Sequence, residues 1–146
     1  MIELVYPAVE LRERQQGSVS QLFDPLRKRW VQRTPEEWVR QQFLQLLVHT
    51  HHYPPSLIAV EKSIQVGLVS KRFDILIYDA AHAPWMLIEC KAPSVKLNDT
   101  VLEQVIQYNM GVPVPFMLIV NGLYCHGWQR VNGHLVALQK IPDFSV

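Results

Sequence analysis

The sequence predicts a mixed α/β (α+β) domain in which helices flank a β-sheet, in the element order α-β-β-β-α-β-β-β. Its 146 residues are 49% hydrophobic and 18% charged, which is typical of one globular domain with a buried core. Three runs rich in Ile, Leu and Val follow a well-marked helix start. Two Asn-Gly dipeptides separate apolar runs near the C-terminus, which is typical of β-hairpins.

The first predicted helix begins after Thr34, a residue type that caps helices well. Pro35 takes the first helical position, and Glu37 is placed to close a capping box with Thr34. Apolar residues then recur at helical spacing, which indicates a buried helix face. We expect the helix to end near His51 and His52, because the Tyr-Pro-Pro sequence that follows cannot continue it.

Three strands are predicted next, at residues 57–66, 71–79 and 85–91, because turn residues separate these apolar runs. A second helix is predicted over residues 98–110, capped by Asn98 or Asp99, from its apolar periodicity.

The last three strands are predicted at residues 114–120, 123–131 and 134–141, with Asn-Gly turns between them. Since a helix precedes it, we expect the strand 114–120 to return in parallel beside the strand 85–91 through a right-handed crossover.

Composition limits the classes of protein. No stretch approaches the roughly 20 apolar residues of a membrane span, and the N-terminus has no signal-peptide pattern, so we expect a cytoplasmic protein without a membrane partner. Cys90 and Cys125 lie in apolar segments, which favours reduced core thiols. A net charge of +1 argues against strong, unaided nucleic-acid binding.

Three charged residues interrupt the apolar strands: Asp74, Glu89 and Lys91. Glu89 and Lys91 are two positions apart, so they share one face of a strand and Cys90 faces the other way. We expect the three charges to meet where the central strands separate. Two adjacent carboxylates repel unless a cation lies between them, and oxygen ligands favour Mg²⁺ or Mn²⁺. The alternative is a carboxylate at a strand end and a Glu–Lys surface pair.

These residues also resemble a known pattern. Asp74 followed by Glu89-x-Lys91 resembles the PD-(D/E)xK nuclease signature, although Phe73 stands where that signature has a proline. The segments FDPLRKRWVQRTPEEWVRQ, AVEKSI, RFDILIYD and LIECKAP resemble the N-terminal nuclease domain of type I restriction enzyme R subunits, in its short stand-alone form. The resemblance covers roughly residues 22–125.

The resemblance implies one restriction-endonuclease-like domain over residues 1–146, with residues 1–33 as an N-terminal segment. It implies a Mg²⁺-dependent DNA endonuclease in which Asp74, Glu89 and Lys91 are catalytic. The Gln-x-x-x-Tyr element of related nucleases matches Gln104 and Tyr108. The alternative for that pair is a surface amide above a packed tyrosine.

The first helix offers another acid. Glu36 shares the inward stripe with Arg40 and is expected to serve as an indirect metal ligand through water, or else only as a first-turn acid favoured by the helix dipole. Arg40, Lys71 and Arg72 are the basic residues expected to contact nucleic acid. Residues 26–30 combine cations with a tryptophan, which suits a phosphate backbone, although short basic runs are more often simply solvated.

Three functions remain open from the sequence: a metal-dependent nuclease, a weak or inactive nuclease-like binding module, and a protein-interaction domain. With no ATPase motor motif, specificity would come from partner proteins. A homodimer would be needed to cut both DNA strands at once. The sequence leaves open whether the substrate is DNA or RNA, single or double stranded, and cut internally or from its ends.

Overall fold

A computed structural model describes residues 1–145 as two β-sheets and two α-helices. The helices are α1 (Pro35–His49) and α2 (Asp99–Asn109). The strands are β1 (Ile2–Glu3), β2 (Glu13–Gln16), β3 (Val19–Asp24), β4 (Arg29–Gln32), β5 (Ile58–Val66), β6 (Val69–Tyr78), β7 (Pro84–Cys90), β8 (Phe116–Val120), β9 (Tyr124–Val131) and β10 (His134–Ala137). Within residues 1–145, neither helix has the length and apolar character to cross a membrane.

The main sheet has seven strands in the order β1-β9-β8-β7-β6-β5, and β10 also pairs with β9. The predicted parallel return is confirmed, because β8 pairs in parallel with β7 from Met86 opposite Phe116 to Cys90 opposite Val120. The other pairs of this sheet are antiparallel. The predicted mixed fold and its eight-element order, from α1 to β10, are confirmed.

Both Asn-Gly dipeptides form turns between strands, as predicted. Asn132 and Gly133 join β9 to β10 with φ values of 50° and 78°, which suits a two-residue hairpin turn. Asn121 precedes β9, and its side-chain oxygen accepts hydrogen bonds from the backbone of Leu123 and Tyr124 at 3.2 and 3.0 Å.

Helix α1 is capped as the sequence predicts, with Thr34 Oγ1 accepting from the Glu37 amide at 3.0 Å. The prediction that the Glu37 side chain also closes a capping box with Thr34 is wrong. The Thr34 amide donates to the Gln32 carbonyl, while the Glu37 carboxylate is buried against Arg27 and Arg40. A charge-assisted pair with two guanidiniums is stronger than a neutral contact with one backbone amide, which accounts for the difference.

The two helices lie on separate hydrophobic clusters of the main sheet. Phe43 and Leu47 of α1 pack with Ile75 and Ile88. Helix α2, capped by Asn98, packs through Leu102 and Val105 onto Ile119. Adjacent positions on a strand face opposite ways, so Glu89, between Ile88 and Cys90 of this cluster, is directed away from it.

The N-terminal segment contains a second sheet that the sequence analysis did not predict, with β2, β3 and β4 in an antiparallel order. Strand β2 is entirely polar and exposed, so it lacks the alternation by which strands are recognised. The available signals were turn residues: Gly17, with φ of 63°, and Asp24, whose carboxylate accepts from the Leu26 and Arg27 amides at 2.8 and 3.1 Å.

Gly127 of β9 lies opposite Leu118 in a tightly packed part of the sheet. A Cβ at this position would lie 2.5 Å from a Leu118 methyl carbon and 3.0 Å from one of Leu138. We expect Gly127→Ala to lower the free energy of unfolding by about 1–3 kcal/mol through overpacking, as measured by denaturant unfolding.

A double-mutant cycle tests the cause of that loss. In a Leu118→Ala background the alanine at position 127 should cost little or become stabilising, because the clashing methyl is gone. An undiminished cost in that background would contradict the packing explanation.

Candidate functional site

The candidate site lies at a gap between β6 and β7. The antiparallel ladder of these strands ends at the Ile75–Ile88 pair, and continuing its register places Asp74 opposite Glu89. There the Cys90 amide donates to Asp74 Oδ2 at 2.7 Å, so a side chain takes the place of a backbone acceptor. Strand β7 stays paired with β8 up to Cys90, so the separation occurs on the β6 side.

Glu89 and Lys91 both line one cleft of about 320 Å³. Cys90, between them in the chain, is 4% exposed and packs in the core cluster that contains α1 residues. The alternation predicted for these residues is therefore present. The cleft is completed by residues of α1, α2 and the loop before α2: Glu36, Val95, Val101, Gln104, Val105 and Tyr108.

The surroundings of Glu89 disfavour its ionised form. Burial, followed by the negative charge of Asp74, raises the pKa of Glu89 to about 8, although Lys91 and Arg40 act in the opposite direction. Its Oε1 atom is buried and has no hydrogen-bond partner in the part of the chain that the structure describes. Such an orphaned oxygen is rare in folded proteins and calls for a ligand or a proton.

Arg40 lies among carboxylates and not on an open surface, with 9% of its side chain exposed. Its guanidinium contacts Glu37 at 2.9 Å and Glu61 at 3.4 Å, and lies 3.8 Å from Asp74 Oδ1. The first contribution of Arg40 is thus to offset negative charge beside Asp74. Its contact with nucleic acid stays a prediction.

Arg27 connects the N-terminal sheet to the same group of charges. It pairs with the buried Asp24, with Glu37 at 2.6 Å and with Glu61 at 3.6 Å. The sequence analysis did not predict this role, because Arg27 lies within the basic run of residues 26–30 and such runs are usually exposed to solvent. No sequence signal distinguished Arg27 from its neighbour Lys28, which is exposed.

Glu61 of β5 is a further charged residue beside Asp74, which the sequence alone leaves open as either a site residue or an exposed charge partner. The β5–β6 register puts it opposite Asp74, and its φ of 55° is unusual for a residue within a strand. Burial would raise the pKa of Glu61, but the guanidiniums of Arg40, Arg27 and Arg72 outweigh it and lower the pKa. The signal in the sequence was an acid that follows three apolar residues in β5.

The two acids of the first turn of α1 have separate environments. Glu36 is exposed and lines the cleft, whereas Glu37 is 5% exposed and paired with arginines. The expectation that Glu36 lies on the inward stripe is therefore wrong, because the helix turns Glu37 and not Glu36 toward Arg27 and Arg40. Glu36 nevertheless reaches the same cleft as Glu89.

Gln104 and Tyr108 both lie on α2 at the cleft. The Tyr108 hydroxyl accepts from the Arg72 amide at 3.3 Å, and its ring lies 5.1 Å from the Lys71 ammonium. Lys71 also donates to the Tyr108 carbonyl. Arg72 pairs with Glu61 at 2.5 Å. Lys71, Arg72 and Tyr108 thus fasten the end of α2 to β6 beside the cleft.

The oxygen ligands present suit Mg²⁺ better than zinc. Among residues 1–145, no group of three or more His, Cys, Asp or Glu side chains is arranged to hold a metal. Mg²⁺ needs fewer protein ligands, since it keeps several bound waters and binds proteins through one or two carboxylates. Asp74 and Glu89 are two carboxylates of that kind, and the exposed Glu36 lines the same cleft as Glu89.

The mixed sheet with flanking helices, opened at Asp74 and Glu89, defines a restriction-endonuclease-like domain. Residues 35–142 match the family of the type I restriction enzyme R protein N terminus (HSDR_N). The chain belongs to this family. No curated protein matches the chain.

Proposed function

We propose that this protein is a nuclease that hydrolyses DNA phosphodiester bonds with the help of Mg²⁺ or Mn²⁺. The observation that carries the proposal is the closeness of the Asp74 and Glu89 carboxyl groups at the strand gap, where Glu89 has an orphaned oxygen and lines a cleft with Lys91. Membership in a restriction enzyme family supports DNA as the substrate.

In this proposal Asp74 and Glu89 hold the cation. The Cys90 amide fixes one Asp74 oxygen, and Arg40 limits repulsion between the carboxylates before the cation binds. A bound Mg²⁺ would supply a Lewis acid for the scissile phosphate and lower the pKa of a water. Hydrolysis of a phosphodiester would add the hydroxyl of a water to phosphorus, break one P–O ester bond and leave the water's other proton on the departing alcohol.

The remaining cleft residues would act on the substrate. Lys91 would orient the attacking water or stabilise the charge that develops on the phosphate. Gln104 and Tyr108 would position the DNA backbone beside Lys91, and Glu36 would act through water. Lys71 and Arg72, next to Tyr108, would contact phosphates. With one such site per chain, cutting both strands at once would require a homodimer or a partner protein, which would also supply specificity.

Cleavage assays test this proposal. The purified protein is incubated with linear duplex, supercoiled circular and single-stranded DNA, with Mg²⁺, with Mn²⁺ or with EDTA. We expect cleavage only with a divalent cation. Asp74→Asn should abolish it, since the amide oxygen can still accept from the Cys90 amide while the negative charge is lost.

Asp79→Asn is the matched control. Asp79 also accepts backbone hydrogen bonds, from Ala81 and Ala83 at 2.9 Å, but it lies in the β6–β7 turn, at the opposite end of that ladder from Asp74. This variant should cleave as the wild type does. Absence of cleavage together with salt-sensitive DNA binding would contradict the nuclease and favour a nuclease-like binding module.

A further inference from the structure

The N-terminal sheet has two faces of different composition. Leu22 and Asp24 of β3 are fully buried, so their face is turned toward the body of the protein. Alternate residues of β3, such as Gln21 and Phe23, therefore face outward. These strands precede residues 35–142, which match the restriction enzyme family.

The outward face combines arginines with aromatic rings. Phe23 lies opposite Trp30 of β4, and their rings make an edge contact with centroids 5.4 Å apart. The Arg12 guanidinium lies 4.6 Å from the Phe23 ring, and the Arg14 guanidinium lies 4.3 Å from the Trp30 ring. Stacking on a ring holds a guanidinium in place. Although Arg14 Nε donates to Gln21 Oε1 at 2.7 Å, the terminal nitrogens of both guanidiniums can still donate.

The strand residues of the same face continue in amides, and the exposed Glu10, two residues before Arg12, lines a pocket with Arg12 and Phe23. Register places Gln21 beside Arg14 and Gln32, and Gln16 lies opposite Val19. The one acid of β2, Glu13, is on the other face and pairs with Arg33 at 2.9 Å. Arginine and glutamine are the side chains that donate to phosphates and to the edges of guanine and adenine.

The β2–β3 hairpin also has the shape needed to enter a groove. All four β2 residues, Glu13–Gln16, are exposed, and so are residues 17–20. A two-stranded ribbon exposed on both faces fits the major groove of B-form DNA, which is about 12 Å wide. At its other end the sheet is fastened through Arg27 to Glu61, the residue opposite Asp74.

We propose that the outward face of this sheet, centred on Arg12 and Arg14, binds duplex DNA and delivers it to the cleft. The choice of DNA as ligand rests on the proposed function. The binding itself requires neither the cation nor cleavage. The near-neutral net charge of +1 makes local placement of cations more important, because the whole chain offers little attraction for DNA.

Binding of a fluorescent duplex is measured in EDTA, where no metal-dependent cleavage takes place, across a range of salt concentrations. The double variant Arg12→Ala with Arg14→Ala should bind roughly 10- to 100-fold more weakly at about 0.1 M salt, and its slope of log K against log salt should fall by about 2, for two lost phosphate contacts. The control pair Lys62→Ala with Lys140→Ala removes the same charge from exposed positions outside this sheet and should bind within about 3-fold of the wild type.

A second variant covers the case in which loss of both arginines disturbs the sheet. Gln16→Glu adds a carboxylate at the exposed hairpin end, leaves both arginine stacks intact, and should weaken binding several-fold. The proposal is overturned if both variants bind like the wild type, if the lysine pair loses as much affinity as the arginine pair, or if the wild type prefers single-stranded DNA or RNA to duplex DNA. If the wild type cleaves DNA but both variants bind it as the wild type does, the role of the sheet is contradicted and the proposed nuclease is not. If the variants weaken DNA binding but the wild type does not cleave DNA, the proposed nuclease activity is contradicted and the role of the sheet is not.

Discussion

Replacing Lys91 with alanine is expected to lower the rate of metal-dependent DNA cleavage about 10²- to 10³-fold, the usual effect of losing one group that stabilises transition-state charge. Lys91 lines the cleft beside Glu89, directly after the last residue of β7. The backbone at this position is held by the Lys91 amide donating to the Val120 carbonyl at 2.8 Å, a bond that alanine retains. The loss should therefore appear in the cleavage rate and not in the thermal midpoint of unfolding.

Lys96→Ala is the matched control for this variant. Lys96 is an exposed lysine of the loop that follows Lys91, and it does not line the cleft with Glu89. Its removal changes the net charge equally and should leave cleavage within about 2-fold of the wild type. Equal rates for Lys91→Ala and wild type, or equal losses for the two variants, would contradict the proposed role of Lys91.

Glu89→Gln is expected to change how the stability of the protein depends on pH. The pKa of Glu89 is about 8 in the folded protein, against about 4.3 for a glutamate in an unfolded chain. Folding therefore favours the protonated form. The contribution of Glu89 to stability is fully present below pH 4.3 and is lost as pH rises toward 8. Between pH 5 and pH 8 this amounts to a loss on the order of 3 kcal/mol.

Glutamine cannot ionise, so the variant does not lose this contribution to its free energy of unfolding as the pH rises. The free energy of unfolding of Glu89→Gln minus that of wild type should grow by on the order of 3 kcal/mol between pH 5 and pH 8, measured by denaturant unfolding without metal. Glu103→Gln, an exposed position on α2, is the matched control and should show a constant difference. A constant difference for Glu89→Gln as well would show that the Glu89 carboxyl is not held in its protonated form.

Added cation provides a second measurement on the same variants. Since a metal ligand must be deprotonated, Mg²⁺ should bind wild type more tightly at pH 8 than at pH 6 and should release a proton on binding. It should raise the unfolding midpoint of wild type at pH 8 and change that of Glu89→Gln much less. Equal stabilisation of both proteins by Mg²⁺ would contradict the proposal that Glu89 binds the metal.

Local sequence signals predicted most of the fold because each depends on a short stretch of chain. Thr34 and Asn98 cap the two helices through bonds to amides three residues away, at 3.0 Å in both cases. Asn132-Gly133 makes a two-residue turn for the same local reason. Strand β2 was missed because a polar, fully exposed strand has no local pattern, and only pairing with β3 makes it a strand.

The candidate site divides in the same way. The sequence by itself determined that Glu89 and Lys91 share a face and that Cys90 faces away, since alternation along a strand depends only on spacing. Only the tertiary structure decided that Asp74 lies opposite Glu89 and that Glu61 lies on the other side of Asp74, because register between strands is a long-range property.

Ion pairs between distant parts of the chain were beyond the sequence for the same reason. Glu37 is a capping residue by its position in the sequence, yet its carboxylate pairs at 2.6 Å with Arg27, ten residues earlier in the turn between β3 and β4. Three charges on apolar strands were the sequence signal for this candidate site. Which partners surround them, and that Glu89 is left with an orphaned oxygen and a raised pKa, followed only from how the strands and α1 pack together.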